Sequence, residues 1–94
     1  MAIGLLSIHL SIPDCHSLKQ KRSRVKPILA RLHREYNIAA AEISLQDQHH
    51  EAGLQCSALS TSCSELHAYL QQVVDYINET WPDVEILEYR IECI

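Results

Sequence analysis

Seven of the eight Lys and Arg residues in this 94-residue chain fall between positions 19 and 34: Lys19, Lys21, Arg22, Arg24, Lys26, Arg31 and Arg34. No Asp or Glu interrupts them. Apart from Asp14, every acid lies from Glu35 onward. The formal net charge of −4 therefore hides a strong local positive field. Clustered cations on a rigid element are what phosphate groups require, and a helix N-terminus adds backbone N–H donors. Ser17, Lys19, Lys21, Arg22, Arg24, Lys26, Arg31 and Arg34 are thus the candidate nucleic-acid-binding set. Two plainer readings stand beside it. The cations form a solvated face, or they pair with Glu85, Glu88 and Glu92 near the C-terminus.

Other chemistry has weaker support. His49–His50 and Cys15–His16 are adjacent pairs, which point apart on an extended chain and make poor chelates. No metal site and no cofactor are expected. Cys15 with His16, or Cys63 at a helix start, offers a nucleophile, but no third orienting group can be identified. Gly4 and Gly53 are the only glycines, so there is no glycine-rich phosphate loop. The chain is expected not to be an enzyme, with no catalytic residues. None of the four cysteines lies in a C-x-x-C pair. They are expected to be reduced, with Cys56 and Cys93 as small core residues on strands.

The elements that must position these groups follow from periodicity. Residues 3 to 12 alternate, with Gly4, Leu6, Ile8, Leu10 and Ile12 on one face and Ser7, His9 and Ser11 on the other. That predicts a strand. Ser17 is a helix N-cap, and Leu18, Val25, Ile28, Leu29, Leu32 and Tyr36 form an apolar stripe behind it. The seven cations are placed around the rest of that helix. Pro27 falls nearly opposite the stripe, on the solvent side; a later helix start, with 18–23 in a looser turn, is the alternative.

Residues 38 to 46 and 53 to 61 read as a hairpin around a polar turn. Ser62 and Glu65 form a capping box for a second amphipathic helix carrying Leu66, Leu70, Val73, Val74, Ile77 and Trp81, closed by Pro82. Residues 84 to 94 are a final, acidic strand. The order βαββαβ predicts an α+β, ferredoxin-like single domain over 1–94: a four-stranded antiparallel sheet with two helices on one face. The open face of such a sheet can stack RNA bases. Here its expected residues, Ser7, His9, Ser11, Gln55 and Ser57, are polar, so stacking there is not expected.

The segment Cys15-His16-Ser17-Leu18-Lys19-Gln20-Lys21-Arg22-Ser23 resembles the H-S-L-K-x-K-R signature of the YlxP-like family of small uncharacterised bacterial proteins. The resemblance continues through Asn37-Ile38, Ala41-Glu42, Gln46-Asp47 and Val84-Glu85-Ile86-Leu87. It implies a ferredoxin-like fold. Members are often encoded near translation-initiation and ribosome-maturation genes, which implies a ribosome- or RNA-associated role. Where relatives carry a Trp and then an Arg after the Gln-Asp pair, this chain has His49 and Glu51.

The sequence-level expectation is a non-enzymatic factor that binds RNA, such as ribosomal RNA or a ribosomal subunit, through phosphates. The alternative is an oligomerising module whose basic helix docks an acidic surface, with a homo-oligomer as one form. No apolar run approaches the length needed to span a bilayer, and no secretory signal is visible. A cytoplasmic protein without a membrane partner is expected.

Overall fold

Alternation of apolar and polar residues makes β1 (Ala2–Ser11) a strand with one buried and one half-exposed face throughout. The computed structural model describes all 94 residues. Ser17 then starts α1 (Leu18–Glu35): its Oγ accepts the Gln20 N–H at 3.1 Å, and the Gln20 side chain takes the His16 N–H at 2.6 Å. The helix begins directly at Leu18, so the looser turn over 18–23 does not form. Pro27 lies inside it on the exposed side, where the hydrogen bond it removes faces water.

The hairpin comprises β2 (Ala39–Ser44) and β3 (Glu51–Ser60), followed by α2 (Cys63–Thr80) and β4 (Glu85–Cys93). β2 is shorter than the expected 38–46, and β3 starts earlier than expected because Glu51 and Ala52 still pair with β1. Ser62 caps α2 by accepting the Glu65 N–H at 3.3 Å. The capping box is only half made: the Glu65 carboxylate accepts from Ser60 Oγ, and the Ser62 N–H also turns to Ser60 Oγ.

The strand order β2-β3-β1-β4, antiparallel throughout, is the ferredoxin-like arrangement. The core lies between the sheet and the two helices. There Leu6, Leu10 and Cys56 meet Ile28 and Leu32 of α1 and Leu70 and Ile77 of α2. Gly4 sits where α2 crosses β1: a Cβ there would come within 2.9 Å of Leu70 Cδ1.

Cys63 and Cys93 form a disulfide, which corrects the expectation of four reduced thiols. The bond ties the first residue of α2 to the last residue of β4, 30 residues on. Cys93 is therefore a cross-link rather than a small core residue. Cys15 and Cys56 are free and buried.

Candidate nucleic-acid interface

Of the seven cations on α1, two are already spent on carboxylates from other elements of this chain. Lys21 is not on the exposed ridge at all; its side chain is 1% exposed. Its ammonium donates to three carbonyls of the β2–β3 hairpin: Leu45 O at 2.8 Å, Glu51 O at 3.1 Å and Gln46 O at 3.4 Å. Glu42 Oε2 approaches to 2.8 Å, but off the direction of a hydrogen bond, and accepts none from any other group. Lys21 is thus a latch that fastens the hairpin to the start of α1. Its inclusion in the binding set is corrected for that reason.

The signal for this was in the helix itself. Leu18, Lys21, Val25, Ile28 and Leu32 follow the 3-4-3-4 spacing of a single buried face, with Lys21 in the middle of the stripe. Its partner was legible too. Ala40 and Glu42 are the half-buried positions of the alternating strand β2, so Glu42 points beneath α1.

Arg24 is the second correction. One of its Nη atoms pairs with Asp83 Oδ2 in the loop after α2, and the other donates to Pro13 O at 3.3 Å. Ser17 stays at the helix start, but its hydroxyl oxygen is used for the cap. The acids that neutralise α1 are Glu42 and Asp83, not the expected Glu85, Glu88 and Glu92 of β4; Glu92 pairs instead with Arg90 at 3.1 Å.

Five cations remain exposed on α1. Lys19, Arg22, Lys26 and Arg31 have no carboxylate within ion-pair distance, and Arg34 touches only its neighbour Glu35, at 3.5 Å in the open. At 100° per residue, Lys19, Arg22 and Lys26 fall within roughly 60° of one another and span about 10 Å of helix axis. By the same count Arg34 lies about 60° on from Lys19, and Arg31 about 60° beyond Arg34, so the two fan out from that row around the helix. Arg22 also borders a polar cleft of about 360 Å³ lined by Leu18, Lys21, Glu42, Gln46 and Asp47. Glu42 and Asp47 bring two carboxylates of the hairpin side to that cleft, neither within ion-pair distance of Arg22.

The aromatic rings are placed elsewhere. Tyr36 at the end of α1 meets Tyr69 and Tyr76 of α2 edge-to-face at 5.7 and 5.4 Å, and Tyr76 meets Trp81 at 5.9 Å. Burial, with Tyr76 and Tyr69 beside it, pushes the Tyr36 phenol up from its ordinary value. The open sheet face carries a shallow depression of about 410 Å³ whose polar residues include Ser7, His9, Gln55 and Arg90. His9 Nε2 lies 2.7 Å from Glu51 Oε1 at its margin. There is no group of three or more His, Cys, Asp or Glu side chains arranged to hold a metal ion. No helix is long and apolar enough to cross a membrane.

Comparison with known proteins agrees with the signature around His16–Arg22. Residues 3–91 match the family model described as "Protein of unknown function (DUF503)". The "Uncharacterized protein YlxP" of Bacillus subtilis (strain 168) is 32% identical over 90 residues, covering 96% of this chain and 97% of that protein. Among solved structures, a de novo designed protein with ferredoxin fold, LFR1 1, superposes with a TM-score of 0.60 at 12% identity, covering 100% of this chain and 84% of the design. The de novo designed protein Foldit4 gives 0.56 at 13% identity, covering 98% and 97%. These designs share the fold alone.

Proposed function

The chain belongs to the DUF503 family of proteins of unknown function, and from that premise, which assigns no activity, we propose that it is a non-enzymatic factor that binds the phosphate backbone of structured RNA, such as ribosomal RNA, through α1. The observation that carries the reading is the row Lys19, Arg22 and Lys26, with Arg34 beyond it. These are exposed cations on a rigid 18-residue helix whose one acid, Glu35, touches only Arg34, while Glu42 and Asp83 are taken by Lys21 and Arg24. Arg31 adds to the field from the far flank. Ser17 and the first turn of α1 contribute dipole and the backbone N–H groups that the cap leaves over.

The chemistry favours positioning over sequence reading. Backbone phosphates give affinity and register but carry no base identity. With Tyr36, Tyr69, Tyr76 and Trp81 packed against one another, Tyr89 bonded to α2, and polar side chains along the middle of the open face, base stacking contributes little to this mode. The test is co-sedimentation with ribosomal subunits at low salt. The wild-type chain is expected in the subunit fractions, and the triple variant Lys19→Glu/Arg22→Glu/Lys26→Glu at the top of the gradient. Equal sedimentation of the two chains contradicts the proposal.

A further inference from the structure

We propose that the outer edge of β4 is a homodimer interface, at which two copies pair antiparallel about a two-fold axis through Tyr89 and join their sheets into one.

The two edges of the sheet are treated differently by the fold. On β2 the outer edge is short and capped by side chains: the Ala40 N–H donates to His33 Nε2 at 3.1 Å, and Gln46 Nε2 donates to Glu42 O at 3.3 Å. On β4 no side chain bonds the backbone. An exposed edge is a template for another strand, and proteins that stay monomeric blunt it.

The backbone of β1 and β4 shows which groups are on offer. Ile3 and Ile94 exchange both of their hydrogen bonds, at 3.0 and 2.8 Å. Antiparallel ladders alternate, so Glu92, Arg90 and Glu88 also bond toward β1, opposite Leu5, Ser7 and His9. Cys93, Ile91 and Tyr89 therefore aim their N–H and C=O groups outward. A second copy must match outward groups to outward groups, which allows only registers centred on a residue.

Charge selects among the registers nearest the middle of the strand. Centred on Tyr89, the midpoint of Glu85–Cys93, the pairing sets Glu88 opposite Arg90 twice, both on the open face of the sheet. It also sets the exposed Leu87 against Ile91. Moving the centre to residue 88 puts Glu88 opposite itself. Moving it to residue 90 puts Arg90 opposite itself and Glu88 opposite Glu92. Like charges directly opposite destabilise a strand pair, and unlike charges stabilise it. Arg90 engages Glu92 only through Nε, so both terminal nitrogens remain for the partner's carboxylate.

The edge is also held firm. Tyr89 Oη donates to Gln71 Oε1 of α2 at 3.2 Å, and the Cys63–Cys93 disulfide fastens the strand's end to the same helix. The bulge at Leu87 ends the regular ladder, so pairing is confined to the stretch around Tyr89. This interface does not rest on the RNA reading, because β4 packs under α2 and the cationic row is on α1, which covers β2.

The experiment is sedimentation velocity on three chains across micromolar to millimolar concentration: wild type, Arg90→Glu and Glu88→Arg/Arg90→Glu. Circular dichroism confirms that each exposed-surface variant is folded. The wild type is expected to dimerise, Arg90→Glu to weaken the dimer by about tenfold or more, and the double swap to restore it. A wild-type monomer at millimolar concentration overturns the interface. Dimerisation of Arg90→Glu at wild-type strength, or no recovery in the double swap, overturns the register.

Discussion

Lys21 of α1 and Glu42 of β2 meet at 2.8 Å beneath the helix, and the same ammonium holds three carbonyls of the hairpin that follows. A lysine in the middle of a cationic run is therefore part of the scaffold rather than the surface. Removing one member of a buried ion pair leaves the other charge uncompensated, at a cost of about 3–5 kcal/mol. Lys21→Met should lower stability by that order, and Lys21→Met/Glu42→Gln should recover part of the loss. Lys19→Met, at an exposed position two residues away, should change stability by no more than about 0.5 kcal/mol. Urea unfolding of the three variants checks the ranking; equal effects at positions 19 and 21 would contradict the latch.

The pairing of Arg24 with Asp83 divides neighbouring arginines by role. Arg22→Ala should reduce the dependence of log affinity for RNA on log salt by roughly 0.7–0.9, one phosphate's worth. Arg24→Ala should leave that slope unchanged, because its guanidinium already has a carboxylate and the Pro13 carbonyl. Filter binding across a salt series reads both. A slope change for Arg24→Ala and none for Arg22→Ala would reverse the assignment.

The disulfide joins elements 30 residues apart in the chain. Closing a loop of that length restricts the unfolded state, and its loss should cost about 2–4 kcal/mol. Cys63→Ser, or reduction of the wild type, should shift the denaturation midpoint down and raise m as the unfolded chain expands. A midpoint insensitive to reductant would show that the bond does not stabilise the fold.

Burial pushes the Cys56 thiol up from 9.0 to about 11. The unfolded chain ionises this thiol first, so the contribution is complete below pH 9.0 and is lost as pH rises toward about 11. Within that window the native thiol holds a proton that the unfolded chain has released, so stability falls as pH rises. Wild type should lose stability more steeply than Cys56→Ala above pH 9.0, as seen in paired urea titrations. Parallel curves would remove Cys56 from the alkaline limit.

The fold was readable because each element carries its own period: two in β1, about 3.6 along α1 and α2, with Ser17 and Ser62 marking both helix starts. The site was readable only as a set of charges. Which of them remain exposed depends on tertiary contacts between Lys21 and the hairpin and between Arg24 and the loop after α2, separated by 24 to 59 positions. The positions of Lys21 within the apolar stripe and of Glu42 on the inward side of β2 were the local clues. The Cys63–Cys93 bond had none, because pairing of four cysteines is set by where the end of β4 meets the start of α2.

The most direct test of the phosphate-binding account is the affinity of the folded wild-type chain for structured ribosomal RNA, measured by filter binding over a series of salt concentrations. If three to five phosphates are contacted, log affinity should fall against log salt with a slope of roughly −2 to −4. The Lys19→Glu/Arg22→Glu/Lys26→Glu variant should show little binding at any salt. A wild-type affinity that does not change with salt, or no binding at low salt, contradicts the account.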